Sequence, residues 1–266
     1  MEMDYKAIFF DIDGTLQTFT NPPTIPESTR LALKELRKNG VKLFIATGRP
    51  KKILKEFRDL IDFEFDGWVI MNGQYCFCED EVIRECTIPV VELEKTFAYL
   101  NENNIGCIVA ELDEAYQINE NERVNKYNNQ SGYREVGDIS RIYEHPVYQL
   151  MVYIEEEEVE IENEFFKNLP SCKSARWTRE FMDVIPKEGG KNKGIDAMLE
   201  HFNIPLSKTM AFGDGGNDIA MLSYVGMGIA MGNASDKVKA AAKYVTSSID
   251  QNGIYEACIH FGLIKK

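Results

Sequence analysis

The apolar run Ala7-Ile8-Phe9-Phe10 stops abruptly at Asp11-Ile12-Asp13-Gly14-Thr15. A short run without polar alternation reads as a strand buried on both faces, the habit of parallel sheets covered by helices. Two carboxylates therefore leave the carboxyl end of a buried strand two residues apart, where open α/β sheets place their ligands. The pattern recurs further on, where Met210-Ala211-Phe212 precedes Gly213-Asp214-Gly215-Gly216-Asn217-Asp218. Like charges gathered at two strand ends need a reason. A bound cation supplies one, and the two clusters together predict a Mg2+ site that handles phosphate.

The rest of the chain fits an alternation of strands and helices. A helix is expected from Pro26-Glu27-Ser28 to Gly40, with Thr29, Ala32, Leu33 and Leu36 as its buried stripe. Strands follow at 41–46 and 68–71, separated by a helix opening at Pro50. Asn72-Gly73 marks a turn, and 75–78 with 82–84 form a hairpin. From about 86 to 185 the strands lengthen and alternate. They are expected at 105–111, 147–154 and 175–185, with one helix carrying Leu93, Phe97 and Leu100 and another opening at the Glu155–Glu158 run. The Asn-rich stretch 119–141 matches no element. The βα alternation resumes after Lys187-Glu188-Gly189-Gly190. The fold class read from this is α/β: a Rossmann-like, doubly wound parallel sheet core formed by 1–83 and 187–266, with an α+β domain, 84–186, inserted in it.

Composition narrows the partners. With 44% hydrophobic residues in 266, the chain has ample material for packed cores. A net charge of −13 argues against nucleic acid or an anionic membrane as partner, and an anionic substrate would need a local positive site. The polar start and the lack of a long apolar stretch predict a cytoplasmic protein without a membrane span. The six cysteines show no metal-binding spacing and read as reduced, small apolar residues.

The chemistry follows from residue type. A carboxylate such as Asp11 can attack phosphorus, and one two residues on, Asp13, can protonate the leaving oxygen and later take a proton from water. Gly14 permits a tight turn with N–H groups free for phosphate oxygens. A calcium loop is excluded, because the sixth and twelfth positions from Asp11 are Leu16 and Pro22. Thr47-Gly48-Arg49, at the end of the second strand, offers a hydroxyl and an N–H for a phosphate. After the glycines at 189 and 190, either Lys191 or Lys193 can reach the cleft, and the residues alone do not choose between them. Asp214, Asn217 and Asp218 form the second acidic end. No GxGxxG is present to make that loop a dinucleotide cradle.

These pieces, in this order, resemble the haloacid dehalogenase superfamily of phosphohydrolases. They are DxDGT at 11–15, Ala46-Thr47-Gly48-Arg49-Pro50, Lys193-Gly194, and GDGGND at 213–218. The ATGRP form, Asn72-Gly73 and GDGGNDIAML resemble in particular the Cof-type sugar-phosphatase branch with a C2-type cap. The resemblance implies that Asp11 is the nucleophile and a Mg2+ ligand, and that Asp13 is the general acid/base and gives the metal its carbonyl. It implies further that Ile12, Asp13, Thr47, Gly48, Lys193 and Asn217 bind phosphate, with Lys193 chosen over Lys191, and that Asp214 and Asp218 serve the metal.

The expected activity is Mg2+-dependent hydrolysis of a small phosphorylated metabolite, a sugar phosphate by family resemblance, through an aspartyl-phosphate. The cap would close over the core, with Arg176, Trp177, Arg179, Tyr133 and Arg134 as candidate substrate contacts. The alternatives are a phosphomannomutase-like phosphotransferase, which would use cationic cap residues among Arg123, Arg134, Arg141, Arg176 and Arg179 to hold a second phosphate, and a non-catalytic sugar-phosphate sensor.

Overall fold

The computed structural model describes residues 5–131 and 137–265, without the side chains of 127–131. Thirteen strands make two sheets among these residues. In chain order the first five are β1 (Ala7–Phe10), β2 (Lys42–Ala46), β3 (Gly67–Ile70), β4 (Tyr75–Cys78) and β5 (Glu81–Glu85). The next five are β6 (Cys107–Ala110), β7 (Ala115–Ile118), β8 (Gln149–Val152), β9 (Cys172–Ala175) and β10 (Met182–Pro186). The last three are β11 (Thr209–Gly213), β12 (Met227–Ala230) and β13 (Tyr244–Val245). The core sheet runs β13-β12-β11-β1-β2-β3-β4-β5 and the second sheet β7-β6-β8-β10-β9.

The core sheet is parallel from β13 to β3, and the β3–β4–β5 hairpins extend it antiparallel. Helices α1 (Glu27–Lys38) and α2 (Leu54–Ile61) follow the first two strands. Helices α3 (Val90–Glu102), α4 (Glu122–Ser131) and α5 (Val159–Asn168) belong to the inserted region. Helices α6 (Lys191–His201), α7 (Ile219–Tyr224), α8 (Asp236–Ala241) and α9 (Gly253–His260) complete the core. Phe9, Phe44 and Ile195 pack in one layer against the sheet, and Phe10, Phe212 and Ile254 in the other. This two-sided burial is why β1 and β2 carry apolar residues without alternation.

The register sets the site. Phe10 lies opposite Phe212 on one side and Ile45 on the other. Asp11, Asp214 and Thr47 therefore leave three neighbouring parallel strands on the same edge, where the chain's direction of winding reverses about β1.

The inserted sheet is entirely antiparallel. One face, carrying Val109, Leu150, Val152 and Val184, is buried with Leu93, Phe97 and Phe165 from α3 and α5. Alternation puts the other face toward the core's catalytic edge.

Three sequence expectations change. The strand expected over 175–185 is two strands, β9 and β10, joined by a turn through Arg176-Trp177-Thr178-Arg179-Glu180-Phe181. This largely polar stretch offers no consistent face to a sheet. Strand β5 pairs with β4 through Glu85, so the first crossing into the inserted region falls beyond residue 83, at about 86–88. Strand β7 and helix α4 fall within no expected element. Tyr133 and Arg134 lie outside the described residues.

Candidate active site

Gly14 fixes how the two acidic strand ends meet. It adopts φ +79°, and a Cβ there would stand 2.2 Å from Asp214 Oδ2. Only glycine allows both the left-handed turn and that close approach. The carbonyl of Ile12 accepts the N–H groups of Leu16 and Gln17 at 3.0 and 2.8 Å and so closes the turn, while the Ile12 side chain is fully buried in the core. The Thr15 hydroxyl then donates to Asp214 Oδ1 at 2.9 Å, and Asn233 Nδ2 to Asp214 Oδ2 at 3.1 Å.

Asp11, Asp214 and Asp218 bring one carboxylate oxygen each within 4.8 Å of the others. Lys191 Nζ donates to Asp11 Oδ1 and to Asp218 Oδ1, each at 2.6 Å. Asp218 Oδ2 accepts the backbone N–H of Asp214 at 3.0 Å and of Gly215 at 2.9 Å. Both Asp218 oxygens thus have partners, and this residue holds the glycine-rich loop and Lys191 in place.

One ammonium cannot balance three carboxylates. Burial, with Asp218 and Asp214 nearby, pushes Asp11 well above the usual carboxylate range, against the pull of Lys191. Burial and Asp218 push Asp214 up to about 7. Burial works against the charge of Lys191, but Asp11 and Asp218 outweigh it and raise its pKa. A crowd of hard oxygens with excess negative charge fits a small divalent cation, which would relieve both carboxyl shifts. Asp11 and Asp214 are the side chains placed to hold it, with Asp218 behind them.

Here the lysine expected from the resemblance must be corrected. Lys193 is exposed, whereas Lys191 is 1% exposed and makes both ion pairs. The reason is the register of α6. Its buried face is Lys191, Gly194, Ile195, Met198 and Leu199. Lys193 lies about 200° around the helix from Lys191, on the outer face.

Thr47 is buried and its hydroxyl accepts the Arg49 N–H at 3.1 Å; Gly48 lines the cavity beside it. The Arg49 guanidinium holds Asp13 through two hydrogen bonds, Nε to Oδ2 at 2.9 Å and Nη2 to Oδ1 at 2.6 Å. This bidentate pair keeps the Asp13 carboxylate at the cavity wall, apart from the three clustered carboxylates.

Asn72, which the sequence marks as a turn residue and as part of the family resemblance but gives no site role, is a junction between the two regions. Its Nδ2 donates to Gln149 Oε1 and to Asp183 Oδ2, both at 2.9 Å, and its Oδ1 accepts from Asn217 Nδ2 at 2.9 Å. Asn217 is thereby fixed by the core's own turn. Burial pushes Asp183 up to about 7 against the Asn72 hydrogen bond, the charge of Lys191 and the Trp177 side chain.

A cavity of about 870 Å3 lies between the acidic edge and the inserted sheet, with Asp11, Asp13, Thr47, Asp214 and Asn217 on its core side. Of the inserted region's arginines, Arg179 borders this cavity and pairs with Glu157. Arg176 instead braces the sheet edge, donating to the Ile154 and Phe181 carbonyls and to Glu162. Arg123 and Arg141 pair with Glu158 and Glu111.

A mixed α/β core with an antiparallel insertion and three strand-end acids facing it, Asp11, Asp13 and Asp214, backed by the buried Asp218, defines a phosphoryl-handling enzyme class. Residues 8–258 match the family model described as haloacid dehalogenase-like hydrolase, and the chain belongs to that family. It is 33% identical to a candidate phosphatase, YkrA, of Bacillus subtilis (strain 168), over 99% of this chain and 100% of that one. Among solved structures, one described as the HAD subclass IIB sugar phosphatase BT4131 is 42% identical. It superimposes with a TM-score of 0.89 over 97% of this chain and 100% of its own. The phosphatase BT1666 of Bacteroides thetaiotaomicron also gives a TM-score of 0.89, at 32% identity over 98% and 96%. The chain is a phosphatase of the Cof-type branch. No helix among the described residues is long and apolar enough to cross a membrane.

Proposed function

We propose that this phosphatase hydrolyses the phosphomonoesters of small metabolites, sugar phosphates among them, through an aspartyl-phosphate formed on Asp11. The observation that carries this is Asp11 itself: a carboxylate on the cavity's core side, bonded to Lys191 and set beside Thr47 and Asp13. One Asp11 oxygen attacks phosphorus as the bond from phosphorus to the leaving oxygen breaks. The Asp13 carboxyl gives that oxygen its proton. In the second step Asp13 takes a proton from water, the water oxygen bonds to phosphorus, and inorganic phosphate leaves with Asp11 restored. Thr47 and Gly48 hold the phosphoryl oxygens, and Asn217 orients them from the arm fixed by Asn72. Lys191 offsets the repulsion between an anionic nucleophile and an anionic ester. Mg2+, held by Asp11, Asp214 and the Asp13 carbonyl with Asp218 in support, would supply further charge neutralisation at the phosphoryl group.

The geometry favours hydrolysis over mutase chemistry. A mutase needs cap cations for a second phosphate, and among the described residues Arg123, Arg141 and Arg176 are engaged with carboxylates or carbonyls, while Arg179 at the cavity border pairs with Glu157. The test is phosphate release from a panel of phosphomonoesters with Mg2+, with EDTA, and for Asp11→Asn. Release that EDTA and the substitution both abolish is expected. Release that persists in Asp11→Asn would rule out the covalent route.

A further inference from the structure

We propose that the inserted sheet takes part in holding the phosphoryl group: Gln149 and Asp183 fix the side-chain amide of Asn72, which orients Asn217, so the phosphate cradle is complete only while the sheet is seated on the core. The proposal rests on the phosphatase reading and gives work to two residues that the reading leaves unused. Both are positioning residues, acting through Asn72 and not on the reacting atoms. The sheet's register brings them together. Met151 of β8 lies opposite Asp183 of β10, and Gln149, two residues from Met151, shares its face. Their neighbours on that face over the cavity, Ile108, Ala110 and Met151, are apolar. Gln149 and Asp183 are nevertheless buried, and polar groups so dry persist where they are bonded. The partner they share lies across the gap, in the Asn72 amide.

An amide has two unlike ends, one that donates and one that accepts, and a carboxylate only accepts. Gln149 turns its own Nε2 toward the Gly48 carbonyl oxygen, at 3.5 Å, and leaves Oε1 for Asn72. Two acceptors on the sheet therefore hold Asn72 Nδ2 and point Oδ1 back at the core, where it accepts from Asn217 Nδ2. A reversed Asn72 amide would set two donors against each other and push Asn217 away. Water in place of the sheet would satisfy either orientation. The relay ends at the cradle itself. The Asn72 N–H donates to the Thr47 carbonyl at 2.9 Å. A Cβ on Gly48 would stand 3.2 Å from Asn72 Nδ2 and 3.3 Å from Asn217 Nδ2, so Gly48 packs directly over the bond between the two asparagines. Thr47, Gly48 and Asn217, the groups that the phosphatase reading sets around the phosphoryl oxygens, thus meet at one amide. Moving such a group by about 1 Å can cost on the order of a hundredfold in rate. The seated sheet completes the site, and a lifted one leaves it idle.

Three variants test this. Gln149→Met keeps the side chain's length and removes its acceptor, Asp183→Leu removes the other acceptor, and Asp183→Asn retains an oxygen for Asn72. Phosphate release is measured with Mg2+ from acetyl phosphate, whose acetyl group is too small to span the cavity, and from the fastest ester of the panel. Gln149→Met and Asp183→Leu should each lower kcat about tenfold on both substrates. Asp183→Asn should stay within about threefold of the parent, because the Asn72 bond survives. In an Asn217→Ala background, Gln149→Met and Asp183→Leu should cost less than about threefold more, since their effect runs through the missing amide. A loss confined to the larger ester would put Gln149 and Asp183 against its alcohol portion and overturn the proposal. Losses that add fully to that of Asn217→Ala, an unchanged kcat in Gln149→Met, or an Asp183→Asn as slow as Asp183→Leu would overturn it too. Each of these leaves the phosphatase reading standing. Release by the parent from neither substrate would overturn both.

Discussion

At the scale of single residues, the two lysines after the glycine pair carry the sharpest expectation. Lys191→Ala leaves Asp11 and Asp218 buried without their cation, and losing one partner of a buried pair costs about 3–5 kcal/mol. Activity should fall at least a hundredfold, with a lowered melting temperature. Lys193→Ala, on the outer face of α6, should retain both within a factor of two. Steady-state rates and thermal melts of the two variants check this, and the reverse order of damage would contradict the site described here. Ile195, Met198 and Leu199 mark a buried stripe that extends back to 191 and bypasses 193, so helical spacing held the answer that the Lys-Gly dipeptide obscured. The acidic residues were legible because a strand end announces itself in sequence. The partnership of Arg49 with Asp13 was not, since 36 residues separate them and nothing local marks it.

At the scale of elements, the turn after β3 does more than reverse the chain. Asn72 sits at φ +54°, where asparagine is tolerated, and each polar atom of its side chain is used. Asn72→Gly keeps the backbone conformation and removes the amide, leaving Gln149, Asp183 and Asn217 short of partners. The expected cost is on the order of 3 kcal/mol in stability, with kcat lowered more than tenfold as Asn217 loses its anchor. Chemical denaturation and kinetics would show it. A stable variant with unchanged kcat would mean that Asn217 is held by other means. The sequence marks Asn72-Gly73 as a turn but nothing local shows its bonds, because the partners lie 77 and 111 residues away. The core strands were legible for the opposite reason: burial on both faces is written locally as an unbroken apolar run. The β9–β10 turn was misread because Trp177 and Phe181 look like strand residues, although they face the cavity.

At the scale of the whole molecule, the acid buried between the two regions makes stability depend on pH. Asp183 is raised to about 7, above the ordinary aspartate value near 3.9 in an unfolded chain. The folded state therefore binds the proton more tightly. The stability this gives is complete below about pH 4 and is lost as the pH climbs through about 7. Asp183→Asn removes that loss, so the variant should gain on the parent between pH 5 and 8, by up to roughly 3 kcal/mol. Melting curves at several pH values would follow the difference, and a constant offset would show that Asp183 does not titrate in this range.

Among the described residues the chain passes between its two sheets near 86–88 and near 187–190, and Asn72 spans the gap between them. The two sheets are thus tied by chain at their margin and by one buried amide between them. Asn72, Gln149 and Asp183 act as a clasp: changing any one strands a hydrogen-bonding group of another in the dry gap.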